Sequence, residues 1–183
     1  EVPVEKEGEG DEASTETVSE VSEETLNSMK AIWTRAPSEV DKDDYVEFYK
    51  AQFKDYTEPA EIIHYRAEGT LEFNALLYIP AKAPYNMMYD REDHGVQLYV
   101  KRVFIMNNCQ DLLPTYLRFM KGVVDSSDLP LNVSREILQE DLLVRKIRSN
   151  LVKRVLSTLK DMQEKEPDPY ATFFREFRCV LKE

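Results

Sequence analysis

Arg135 and Gln139 are the side chains of this sequence best suited to handling an anion. They stand four residues apart in Ser134-Arg135-Glu136-Ile137-Leu138-Gln139. On a helix that spacing puts them on one face, about 6 Å apart along the axis. A guanidinium is permanently charged and presents a planar fork of donors, and the amide adds a neutral donor beside it. The pair suits a polyanion, and phosphate is the usual one. The residues leading to it read as the parts that would hold it at a surface. Gly122-Val123-Val124 is a short apolar run of the kind found in buried strands. Asp125-Ser126-Ser127-Asp128, followed by Pro130, is turn chemistry, and Asn132 or Ser134 is placed to cap the helix that Arg135 begins. Strand, turn and helix in that order leave Arg135 at the mouth of the unit. Taken alone, an arginine at a helix start is ordinarily explained by solvated pairing with Glu136 or Glu140.

Other chemistries find less support. The five glycines are scattered and form neither GxxxxGK nor GxGxxG, so the chain lacks a phosphate cradle and is expected not to bind a nucleotide tightly by itself. His64 and His94 stand alone, without metal-ligand spacing. A stand-alone hydrolase would have to use His64 or Cys109; a Ser134–His64 pairing has nothing to mark Ser134 as a nucleophile, and capping explains it. Cys109 and Cys179 are too few and too distant for a zinc knuckle or a redox pair, and read as free buried thiols of a reducing compartment. Arg145, Lys146, Arg148, Lys153 and Arg154 give the stretch 145–154 a basic band, which raises a nucleic-acid-binding module as an alternative function. Acids flank the band and no aromatic interleaves it, so a solvated helix face is the expectation.

The net charge of −11 is unevenly placed. Residues 1–24 hold ten acids and one base, so the remainder is nearly balanced. That segment has too few apolar side chains to offset the entropy of ordering and reads as a disordered acidic linker. Residues 25–140 read as an α/β core and 141–183 as a helical subdomain. A helix capped by Asp41 runs to about Lys54, with Tyr45, Phe48, Tyr49 and Phe53 on one face. Strands are expected at 62–67, 71–79 and 96–105, the second alternating Leu71, Phe73, Ala75, Leu77 and Ile79 with less buried positions. A short helix is expected at 111–120, a long one at 141–165 with a stripe of Leu143, Ile147, Leu151, Val155, Leu159 and Met162, and a last one at 170–182. No apolar run approaches the roughly 18 residues of a membrane span. The first residue is not Met, so a fragment is expected.

Several long stretches, taken in order along the chain, carry a family resemblance. Ala31-Ile32-Trp33-Thr34-Arg35 precedes Tyr45-Val46-Glu47-Phe48-Tyr49-Lys50, and Leu76-Leu77-Tyr78-Ile79-Pro80 leads to Ala83-Pro84-Tyr85. Leu98 to Met106, Leu113 to Phe119 and Gly122 to Gln139 follow. From about Leu26 onward the chain resembles the heat-shock protein 90 chaperone family in its bacterial form, over that family's middle segment only. The resemblance implies an α/β fold, the ribosomal-protein-S5 domain-2-like αβα sandwich, followed by a helical linking subdomain. It also implies that Arg135 reaches the ATP γ-phosphate in the chain's own amino-terminal ATPase domain, with Gln139 assisting, and that Leu129 and Phe104 belong to the docking surface for that domain. Trp33 and Tyr56, as exposed aromatics, and Met87 and Met88, as an adaptable apolar loop, are candidate contacts for client proteins; Tyr56 stands where related chaperones often carry tryptophan. This segment alone is expected to be catalytically inert and to bind no cofactor, with ATP and Mg in the full-length protein. Expected partners are the amino-terminal domain, clients, cochaperones and a second full-length copy joined through a carboxy-terminal domain, but neither nucleic acid nor membrane. Bacterial cytosol is the expected location, with an organelle as the alternative.

Overall fold

Strand 73–79 divides the interior in two. The computed structural model describes residues 30–84, 95–131 and 142–182. Its sheet is built from β1 (Glu61–Ala67), β2 (Phe73–Ile79), β3 (Val96–Val100), β4 (Val103–Cys109) and β5 (Lys121–Ser126), in the order β1-β2-β5-β3-β4. β3 runs parallel to β5, and the other three pairings are antiparallel. Side chains alternate between faces along a strand. Phe73, Ala75, Leu77 and Ile79 therefore enter one core, and Leu76 and Tyr78 the other.

Helix α1 (Lys42–Phe53) lies on the second face, where Tyr45 and Tyr49 meet Leu76, Tyr78 and Val123. The aromatic face expected of this helix is core: Tyr49 and Tyr78 centroids are 4.9 Å apart. Asp41 sits at its N-cap position without a side-chain capping bond, and Lys54 closes it in the left-handed conformation. Helices α2 (Leu142–Lys165) and α3 (Pro167–Leu181) cover the opposite face. Val144, Ile147, Leu151, Val155, Leu159 and Met162 of α2, and Phe173, Phe177 and Val180 of α3, share one core with Leu77, Leu98 and Val124 of the sheet. Residues 142–182 and the sheet-bearing segment thus contribute to a common interior, in a layered α/β/α arrangement.

Several local expectations need correction. The alternation expected in 71–79 holds at Glu72, which is exposed, and Asn74, which is partly buried, but fails beyond them, because α1 covers the face that an uncovered sheet would leave to water: Leu76 and Tyr78 are wholly buried. The strand expected at 96–105 is a hairpin, since Lys101 and Arg102 take positive φ values of 50° and 67° and reverse the chain between Val100 and Val103. This is the primed-turn geometry that Asn-Gly usually signals, and Lys-Arg gives no such signal. The helix expected at 111–120 is a pair of single 3-10 turns, Gln110–Leu112 and Thr115–Leu117, separated by Pro114. Leu143 yields its place in the buried stripe to Val144. The last helix begins three residues early because Pro167 sits in its first turn, where a missing N–H costs nothing. Cys109 is buried as expected, but Cys179 is exposed on α3.

Gly122 shows why the stretch 122–139 begins with glycine. It pairs with Leu77 at φ +156°, and a Cβ there would overlap the Leu76 carbonyl oxygen and lie 2.8 Å from Leu77 Cα. Gly122→Ala should therefore destabilise the chain by about 3 kcal/mol or more, through strain and backbone overlap together. Urea denaturation followed by circular dichroism reads this directly, and Gly69→Ala, with open space around its Cβ position, isolates the backbone term.

Candidate functional site

The described part of the stretch 122–139, Gly122 to Leu131, runs from the middle of the sheet to its rim. β5 is flanked by β2 and β3, and Ser126 at its end lies opposite Phe73 on one side and Val100 on the other. The turn of the β3–β4 hairpin and the loop that leaves β5 therefore emerge at the same end of the sheet. Asp125 joins them. Its carboxylate is buried, accepts the Trp33 indole N–H at 3.0 Å through Oδ2 and the Arg102 backbone N–H at 3.1 Å through Oδ1. The same hairpin is tied by Lys101 N–H to the Ser126 carbonyl at 3.1 Å. The loop beyond is fixed in turn: Glu72 N–H donates to Asp128 Oδ2 at 2.7 Å, and Asp128 N–H to Ser126 Oγ at 3.3 Å.

Apolar side chains stand exposed at this end. Val103 and Phe104 open β4 at 51% and 47% exposure, and Leu131, where the described loop stops, is 52% exposed. Phe104 is not isolated: Tyr99 packs edge-on against it at 5.5 Å, Trp33 lies 4.9 Å from Tyr99, and Phe48 of α1 is 5.8 Å from Trp33. An aromatic run thus connects the rim to the interior of the α1 layer.

Two further polar groups brace that layer. His64 on β1 is half buried, and burial lowers its pKa and favours the neutral ring. One tautomer accounts for both contacts, with Nδ1 accepting from the Tyr45 hydroxyl at 2.6 Å and Nε2 donating to the Trp33 carbonyl at 3.3 Å. His64 thereby acts as a strut. Asp55 accepts from the Tyr49 hydroxyl and the Thr57 hydroxyl and lies 3.3 Å from Lys121 Nζ. Burial alone would raise the Asp55 pKa, but the bonds from Thr57 and Tyr49 and the Lys121 charge prevail and hold it at about 2. Burial, followed by the Asp55 bond, pushes the Tyr49 hydroxyl pKa up.

The expected site residues divide into three groups. Arg135, Gln139, Met87 and Met88, with the proposed cap Ser134, lie outside the described residues. Tyr56 and Phe104 are exposed, as a contact role requires. Trp33 and Leu129 correct the expectation of surface residues. Trp33 is 8% exposed because its ring packs against Phe48 and Tyr99 and its N–H is bound to Asp125. Leu129 is 1% exposed within the main core. Cys109 is also buried, which withdraws it as a nucleophile open to substrate. Asp125 escaped notice in the sequence because an acid after an apolar run reads as the start of a turn; its partner, the only tryptophan, lies 92 residues away. Val103 and Leu131 read as ordinary strand and loop residues.

Comparison with known proteins assigns the chain. The family model described as Hsp90 protein matches residues 1–183. The chain belongs to the Hsp90 family. Chaperone protein HtpG of Geobacter sulfurreducens is 59% identical over 167 residues, covering 91% of this chain and 26% of the relative. Chaperone protein HtpG of Nocardia farcinica is 55% identical over 178 residues, covering 97% of this chain and 27% of the relative. The Hsp90-family segment thus spans about a quarter of the length of the curated relatives it matches. A solved middle domain of a Plasmodium falciparum heat shock protein superposes with a TM-score of 0.73 at 32% identity, over 84% of this chain and 59% of that one. The segment is accordingly an Hsp90 middle domain of the bacterial, HtpG-like type, with the αβα fold that the resemblance implied. Among the described residues, no helix is long and apolar enough to cross a membrane.

Two measurements test this bracing. Trp33→Phe keeps a ring but removes the donor to a buried carboxylate, and should lower stability by about 1.5–3 kcal/mol in urea titration. For Asp55, the folded pKa of about 2 lies below the unfolded 3.8, so its contribution is complete above pH 4 and disappears as pH falls toward 2. Asp55→Asn should remove about 1–2 kcal/mol of stability at pH 7 and flatten the acid limb of the stability–pH curve.

Proposed function

We propose that this Hsp90 middle segment completes the ATPase site of the amino-terminal domain of its own full-length chain, through Arg135. The observation that carries this reading is the braced rim. β5 and the Asp125–Asp128 loop form a fixed support that leads, four residues after Leu131, to an arginine and an amide four positions apart in the sequence. Phosphoryl transfer depends on stabilising charge on the transferred group more than on covalent chemistry by the protein. A unit charge 4 Å away contributes about 4 kcal/mol at an effective dielectric of 20, and each 1.4 kcal/mol of differential stabilisation is tenfold in rate. An arginine carried on a separate domain supplies this only when the two domains dock, so hydrolysis becomes conditional on closure.

In this reading Phe104, with Val103 and Leu131, offers apolar surface for the docked domain, and Leu129 supports it from beneath. ATP and Mg belong to the amino-terminal domain; Gln139 assists at the γ-phosphate. Client proteins bind exposed apolar positions, Tyr56 among the described residues and Met87 and Met88 outside them. Two full-length chains associate through their carboxy-terminal domains, and the protein works in the bacterial cytosol. The bacterial relatives named as chaperones support this wider reading.

The test uses the full-length chain. Arg135→Ala should reduce ATP hydrolysis by about tenfold to a thousandfold while the Kd for ATP stays within about twofold. Arg135→Lys should restore little, because a point charge lacks the planar fork. Phe104→Ala should slow turnover several-fold with ATP binding intact. An unaltered rate in Arg135→Ala would remove the arginine from the reaction.

A further inference from the structure

The outer face of α2 carries an unusual concentration of positive charge. Residues 142–160 include six bases (Arg145, Lys146, Arg148, Lys153, Arg154 and Lys160) and no acid. At 100° per residue, Arg145, Lys146, Lys153 and Lys160 fall within an arc of about 100°. All four are exposed, and Leu156, 45% exposed, stands among them. Lys160 reaches Glu164 at 3.7 Å, whereas Arg145, Lys146 and Lys153 have no ion-pair partner among the described residues. Like charges at this density repel one another, and an apolar side chain among them offers a contact that water does not satisfy.

We infer that this face is a docking surface for the acidic segment 1–24 of the same chain. Three observations commit it to that occupant. The charges are complementary, with ten acids and one base in 1–24. Val18 and Val21 lie between Glu16, Glu20, Glu23 and Glu24, so the same stretch brings apolar side chains for Leu156. The path is short, because β1 links the two regions. The Trp33 carbonyl is held by His64, and the neighbouring Tyr65 lies on the opposite face of the strand with the Arg154 guanidinium 6.0 Å from its ring centre. The nine residue steps from Glu24 to Trp33 span at most about 30 Å, enough to pass round one strand and reach the far side of a helix about 10 Å wide. Tethering raises the local concentration of the segment to the millimolar range, so individually weak ion pairs act together. The docked segment covers the basic face against other polyanions. This inference does not depend on the role of Arg135.

Zero-length carbodiimide cross-linking of the full-length protein, read by mass spectrometry, tests it. It joins lysine amines to carboxylates only where they touch. Cross-links from residues 1–24 should fall on Lys146, Lys153 and Lys160 at least about fivefold more often than on Lys42 and Lys54, and should fall at least about fivefold between 20 and 300 mM salt. Arg145→Glu with Arg148→Glu, both exposed, keeps the reactive lysines and should abolish the cross-links while circular dichroism stays unchanged. Equal yields at Lys42 and Lys54, insensitivity to salt, or survival in the double variant would overturn the proposal. So would retention of single-stranded RNA at 150 mM salt with no tail cross-links before RNA is added, which would assign the face to nucleic acid.

Discussion

A buried carboxylate cannot be left without partners, and Asp125 satisfies that requirement by drawing three distant segments together. Trp33 comes from the chain that leads into α1, Arg102 from a hairpin turn, and Asp125 itself from the central strand. Arg102 is a left-handed residue with a full side chain, a conformation that costs roughly 1–2 kcal/mol in an L-residue. The bond to Asp125 and the bond from Lys101 to Ser126 help hold the turn in that state. The rim of the sheet is therefore a set of mutually dependent pieces. Moving the hairpin would expose the carboxylate, and moving Trp33 would open the stack of Phe48, Trp33, Tyr99 and Phe104.

Amphipathic periodicity made much of the architecture legible. The 3–4 spacing along α2 located its buried side to within one residue, and the aromatic spacing in α1 identified a core face. What escaped was decided by tertiary partners. Leu76 and Tyr78 are buried because α1 covers them, a fact residing some thirty residues upstream. The Lys101–Arg102 turn lacks glycine or asparagine because neighbouring strands, rather than its own residues, hold it. Trp33 was read as a surface anchor because nothing local reveals that its N–H is consumed by Asp125.

The candidate site shows the same division. The strand and turn signals that lead to it were legible, and the family relationship is independently supported over the whole chain. The support beneath it was not. Asp125, Ser126 and Asp128 look alike in sequence as turn formers, yet their bonds differ: Asp125 holds the hairpin and Trp33, whereas Ser126 and Asp128 hold the carbonyl and the amide of Glu72. The described loop after β5 is thus held from more than one direction, as the strand before it is.

The unequal fates of the two thiols have a practical corollary. Cys109 is sealed within the sheet core while Cys179 faces solvent near the end of α3. Maleimide dyes or spin labels will therefore attach to a single position of this segment without prior mutagenesis. That position moves as one body with the sheet, because Phe173, Phe177 and Val180 anchor its helix to the common interior. A reporter placed there, paired with one on an adjoining domain, becomes a ruler for interdomain travel.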